Sequence, residues 1–168
     1  MAVVNRYSEH ITNVVAGTAT NSNVSDGRTR QSVGYITPAT DDTQASIGRL
    51  CRIPSNCRVS ALTVSSADFT TAGACDIGLY YALNTDGSGG TALDVDFFAT
   101  ALDFSGGPFA DLTCINESTT NTLAKQAQPI WQAAGLTSDP GGYFDVAYTI
   151  TTTFNGGQPI LMKCSYVV

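Results

Sequence analysis

Two segments near the end of the chain alternate apolar and polar residues with a period of two, and that period rules out most folds. From Tyr143 to Thr152, Phe144, Val146, Tyr148 and Ile150 fall on one side of an extended chain, and Asp145, Ala147, Thr149 and Thr151 on the other. From Ile160 to Val168, Ile160, Met162, Cys164, Tyr166 and Val168 alternate in the same way with Leu161, Lys163, Ser165 and Val167. Only a strand gathers such residues on one face, because its side chains alternate sides while those of a helix recur every 3.6 residues. Asn155-Gly156-Gly157 lies between the segments and is tight-turn chemistry, so the pair is predicted to form a hairpin.

The same rhythm runs upstream. Ser46–Ile53 and Cys57–Val64 read as strands joined across Pro54-Ser55-Asn56, a turn in which proline presets φ and Ser and Asn bond their own backbone. Ala74–Ala82 follows, with Ile77, Leu79 and Tyr81 opposite Asp76, Gly78 and Tyr80. The glycine-rich run from Asn84 to Gly90 is a loop, and another strand begins near Ala92 and includes Val95, Phe97 and Phe98. Thr120–Leu136 breaks the pattern. Its Leu-Ala-Lys-Gln-Ala run, Pro129 in a first turn and Gly135 as terminator predict one or two short helices, with Ile130 and Trp131 plugging one end of the core. Short strands with glycine-rich turns make the expected fold all-β: a β-sandwich or jelly roll over residues 46–168.

Residues 1–45 differ. They are rich in Asn, Thr, Ser and Gly, and their sparse apolar positions cannot offset the entropy of ordering such a stretch by itself. They read as an extended arm whose Val3, Val4, Tyr7, Ile11, Val14 and Val15 need another surface to cover them. A helix over 3–15 uses the same residues at spacings of 3 and 4, but three valines and the Gly-Thr-Ala-Thr run that follows favour the arm.

Composition then limits function. Only 13% of residues are charged, about half the usual share of roughly 25% for a soluble domain, while 43% are hydrophobic. A polar but uncharged surface suits a protein covered by neighbours. The net charge of −6 with eight basic residues argues against nucleic acid, whose phosphates demand clustered Lys and Arg. Arg28, Arg30, Arg49, Arg52 and Arg58 lie close in sequence and are expected to pair with carboxylates of this chain or a neighbour. No apolar run approaches the roughly 20 residues that span a bilayer, and the first residues lack signal-peptide character, so synthesis in a cytoplasm is expected.

Chemistry finds little to build on. The single histidine, His10, lies in the arm, far from any candidate nucleophile, so no triad or Cys-His pair is expected and the chain does not read as an enzyme. The five cysteines (Cys51, Cys57, Cys75, Cys114, Cys164) show no C-x-x-C spacing and read as buried thiols, with a Cys51–Cys57 bridge as the competing possibility. Asp94 and Asp96, with Asp86, could ligate calcium; a strand also places that pair on one face, and the calcium-loop pattern is absent, so a solvated face is preferred and no metal or cofactor is expected.

Four stretches carry a resemblance. Leu50-Cys-Arg-Ile-Pro-Ser-Asn-Cys-Arg-Val-Ser60, Ala74-Cys-Asp-Ile-Gly-Leu-Tyr80, Asp94-Val-Asp-Phe-Phe-Ala99 and the run from Ile130 to Val146 resemble small virion proteins of tailed bacteriophages. The resemblance covers residues 45–168. It implies a capsid decoration, or cement, protein at the virion surface, made in the host cytoplasm, that binds the major capsid protein lattice, often as a homotrimer. In that setting Val3, Val4, Tyr7, Ile11 and Val14 are candidate anchors, and Arg28 and Arg30 would meet acidic patches on a capsid. The alternative is a carbohydrate- or receptor-binding jelly-roll module of a tail, which would need exposed aromatics, drawn from Tyr80, Tyr81, Trp131 and Tyr143, beside Asp or Asn in a groove.

Overall fold

A computed structural model of the chain describes residues 28–39, 42–69, 73–84, 90–152 and 157–168. Among the described residues eight strands form two antiparallel four-stranded sheets. They are β1 (Thr29–Ile36), β2 (Ile47–Pro54), β3 (Arg58–Ser66), β4 (Ala74–Tyr81), β5 (Ala92–Asp103), β6 (Phe109–Thr113), β7 (Tyr143–Thr152) and β8 (Ile160–Val167). One sheet runs β1-β8-β3-β6 and the other β2-β7-β4-β5. Pairing β1 with β8, β2 with β7, β3 with β6 and β4 with β5 is that of one long antiparallel ribbon folded at its middle. Winding the ribbon adds β3–β8 and β4–β7, which completes a jelly roll.

The core lies between the inward faces. Phe144, Val146, Tyr148 and Ile150 of β7 are buried, as are Ile160, Met162, Cys164 and Tyr166 of β8. They meet Leu62 and Val64 of β3 and Ile77 and Leu79 of β4 in one contiguous cluster. The strands anticipated in 46–64, 74–82 and after Ala92 are present, and the apolar faces of β7 and β8 are buried as expected, while β7 also buries Asp145 and Ala147 of its other face. Two short helices close one end, α1 (Leu123–Gln126) and α2 (Ile130–Ala133). The Ile130 and Trp131 amides donate to the carbonyls of Cys57 and Ser55 at 2.7 and 3.3 Å, which fixes α2 over the β2–β3 turn. Ile130 is buried, Trp131 packs half-buried against the cluster, and Gly135 ends α2 at φ +85°.

Three expectations need correction. β7 and β8 are not a hairpin, because they belong to opposite sheets. Alternation fixes which face of a strand is buried and leaves its partner open; residues 153–159 carry the chain from one sheet to the other. The arm does not extend to residue 45, because residues 29–36 form β1, paired with β8 over its whole length. Its pattern is inverted: small Ser32 and Gly34 face inward, while Val33 and Tyr35 face out, so hydrophobic periodicity gives no signal. Residues 1–27, with Val3, Val4, Tyr7, Ile11, Val14 and His10, lie outside the described residues. On β4 it is Tyr80 that is sequestered, while Tyr81 is half-buried, because Arg49 lies across the outward-facing Tyr80 ring.

β1 sits tightly over β2. A Cβ built on Gly34 would lie 1.8 Å from the Leu50 carbonyl oxygen, so only glycine permits this approach. The Ser32 hydroxyl accepts the Arg52 amide at 3.3 Å, and the Cys51 thiol donates to the Ser32 carbonyl at 3.3 Å.

Candidate interaction surface

The β1-β8-β3-β6 sheet presents a broad outer face with few charges. Across its strands Gln31 stands beside Ser165, Val33 beside Lys163 and then Thr63, and Tyr35 beside Leu161 and then Ser65. The polar groups bond one another: Gln31 Nε2 donates to Ser165 Oγ at 3.3 Å, Ser60 Oγ to the Ser165 carbonyl at 3.1 Å, and Lys163 Nζ to Asp111 Oδ1 at 2.7 Å. The Asp111 amide donates to Ser65 Oγ at 2.9 Å, and Ser65 Oγ donates back to Asp111 Oδ1 at 3.3 Å. The lysine beside Asp111 holds its carboxyl below the usual range. Short hydroxylic side chains lose little entropy when covered, so a face of this kind can be buried by a partner at low ordering cost. At its β1 margin stand the apolar Val33 and Tyr35, 53% and 73% exposed.

Arg28 precedes β1 and Arg30 lies within it, both exposed. They lie at the start of β1 with the parity of Ser32 and Gly34, not with outward Val33 and Tyr35, and the apolar anchors proposed with them fall outside the described residues. The other arginines turn inward. Asp145 on β7, 3% exposed, accepts Arg52 Nε at 2.6 Å, Arg52 Nη2 at 3.1 Å, Arg49 Nη1 at 3.3 Å and the Leu83 amide at 3.0 Å. Arg49 also donates to the carbonyls of Tyr81 and Gly90, and its guanidinium lies 5.0 Å from the centre of the Tyr80 ring. Tyr80 Oη in turn hydrogen-bonds Thr149 Oγ1. Burial would push the Asp145 carboxyl up, but the Arg52 hydrogen bond, the Leu83 amide and both guanidinium charges together hold it below its ordinary value. This cluster clamps both ends of the 81–90 connection to the sheet. Arg58 donates from Nε to the Ala127 carbonyl at 2.6 Å and so ties β3 to the segment after α1.

Asp94 and Asp96 fall where β5 departs from its partner: Ile77 of β4 pairs with Ala99 and Leu79 with Asp94, so residues 95–98 bulge between them. The Asp94 carboxylate accepts the Asp96 amide at 3.3 Å, and burial, with Asp96 beside it, raises its pKa. Asp86 lies outside the described residues, and among those described no group of three or more His, Cys, Asp or Glu side chains is placed to hold a metal. All five cysteines are free and buried, and burial pushes Cys57 and Cys114 up to about 12. Of the four aromatics that a glycan groove would need, Tyr80 is sequestered, Tyr81 is half-buried against Phe144 with ring centres 5.7 Å apart, and Trp131 is half-buried over the core. Tyr143 stands exposed beside Pro54.

No protein-family model and no curated protein matches the chain. It is similar to one chain of a solved structure. The solved structure is titled "Cyanophage Pam1 capsid asymmetric unit"; the likeness covers 84% of this chain and 86% of that one, at 14% identity and a TM-score of 0.41. A likeness at that score and identity is too distant to carry function across. No helix among the described residues is long and apolar enough to cross a membrane.

Sequence reasoning missed the residues that make this face. Its signal was available in the hydroxyl and small side chains facing away from the core on β3 and β8, which read only as the polar half of an alternation.

Proposed function

We propose that this chain is a virion structural protein that decorates and stabilises a capsid by packing on the lattice of the major capsid protein, without catalysis. The observation that carries the proposal is the outer face of the β1-β8-β3-β6 sheet, whose polar side chains are already bonded to one another and which ends in exposed Val33 and Tyr35. A surface pre-organised in this way binds a flat protein partner with little entropic penalty, while a catalytic or glycan site requires a concave pocket with convergent polar groups. The resemblance of residues 45–168 to phage virion proteins supports the same reading and supplies the partner. It also implies that three copies act together.

The test is co-sedimentation of the purified chain with capsids that lack it. Thr63→Arg places a long cation at the centre of the face and leaves the core untouched; capsid binding falls by about tenfold or more while the melting temperature holds. Unchanged binding by that variant, or density for the chain on tail fibres alone in cryo-electron microscopy of the source particle, overturns the proposal.

A further inference from the structure

Each sheet has two edge strands, and three of the four edges are blunted. β2 carries a bulge between Arg49 and Cys51. β5 loses register three times along β4. β6 has five residues, a register shift against β3 and a positive φ at Asp111. Bulges and short edges are how sheet proteins prevent unwanted strand pairing. β1 has none of these features: eight residues pair with β8 in unbroken register, and among the described residues no strand lies beside its opposite flank. β2 contacts β1 through Gly34, the Ser32 side chain and the Cys51 thiol on the Ser32 carbonyl, and it does not pair with β1 as a strand.

We propose that β1 pairs antiparallel with β1 of a second copy of this chain, joining the two β1-β8-β3-β6 sheets into one eight-stranded sheet. The strand is self-complementary. Residues opposite one another in an antiparallel pair share a face, so a two-fold axis perpendicular to the sheet must pair odd positions with odd ones. Centred on Val33, the axis sets Val33 against Val33 of the second copy and Gln31 against Tyr35. The exposed apolar residues thereby form one continuous stripe across the junction. Arg28 and Arg30 fall opposite Pro38 and Ile36, at the far ends, so the like charges of the two copies stay apart. A three-fold ring built through sheet edges would instead join β1 to a different edge, and each of those is bulged or short. The pairing goes beyond the capsid-decoration reading, and either can fail without the other.

The experiment uses the full chain. Val33→Cys places two thiols across the axis at a Cα separation of about 4.5–5.5 Å, within the range of a disulfide. Gln31→Cys places its two thiols roughly 13 Å apart, four residues along the strand. Mild oxidation is expected to link Val33→Cys into a covalent dimer at least ten times faster than Gln31→Cys, and a mixture of Gln31→Cys with Tyr35→Cys to yield the heterodimer. The five native thiols are buried and leave a low background. Sedimentation is expected to give a dimer for the natural chain, in place of the three copies that the resemblance implies, and a dissociation constant raised at least tenfold by Val33→Lys, which sets like charges directly opposite without touching the core. A natural chain that sediments as a monomer, a trimer that Val33→Lys leaves intact, or equal linking rates for Val33→Cys and Gln31→Cys would overturn the pairing.

Discussion

Asp145 shows how one residue on the nominally outward side of a strand can become structural. Alternation put it opposite Phe144 and Val146, on the side expected to face water, and the two arginines of β2 covered it. Its folded pKa is depressed, so its contribution to stability is present above the ordinary carboxylate value of about 3.9 and is lost as pH falls through the folded value. Asp145→Asn is therefore expected to cost about 2 kcal/mol in urea unfolding at neutral pH, reduced from a fully buried pair because Arg52 is half-exposed. The difference from the natural chain should shrink below about pH 4. A loss equally large at pH 3 would show that shape, not charge, is what matters there. The cysteines give a second expectation at this scale. With Cys57 and Cys114 pushed up to about 12, thiolate is scarce at pH 8, and an aromatic disulfide reagent should label none of the five thiols quickly until the chain is unfolded. Burial of these thiols was legible in the sequence from their strand-like surroundings, whereas the arginine clamp was not, since Arg49 and Asp145 meet only when β2 lies beside β7.

Elements differ in how plainly they announce themselves. β7 and β8 are legible because large apolar residues recur at every second position and share a buried face. β1 is illegible for the opposite reason. Its inward positions must be small to lie over β2, so the apolar residues it can carry are left on the outside. Gly34→Ala tests this: the added methyl would fall on the Leu50 carbonyl, and the expected cost is about 2–3 kcal/mol in chemical denaturation, with weakened amide protection across Thr29–Ile36 in hydrogen exchange. β6 escaped notice because five residues interrupted by a left-handed Asp111 show no sustained alternation. The helices were legible from good helix formers beside Pro129 and Gly135, signals that act within a few residues.

At the scale of the molecule, the topology makes the β1-β8-β3-β6 sheet and the core depend on β8. β8 lies between β1 and β3, so removing it leaves β1 without a sheet partner and strips Ile160, Met162, Cys164 and Tyr166 from the core. A chain ending at Thr152 is expected to lose near-ultraviolet circular dichroism and amide dispersion together; a dispersed spectrum from that chain would contradict the strand order. The sequence by itself determined the all-β class, the presence of six of the eight described strands, the apolar faces of β7 and β8 and the helical break at 120–136, because each is written in a period or a turn spanning fewer than about 12 residues. The partner of each strand, the reach of the sandwich back to Thr29, the Asp145 clamp and the place of β1 at the edge of the described sheet were decided by tertiary structure. Pairing joins residues as distant as Thr29 and Val167, and alternation along one strand carries no information about which other strand lies beside it.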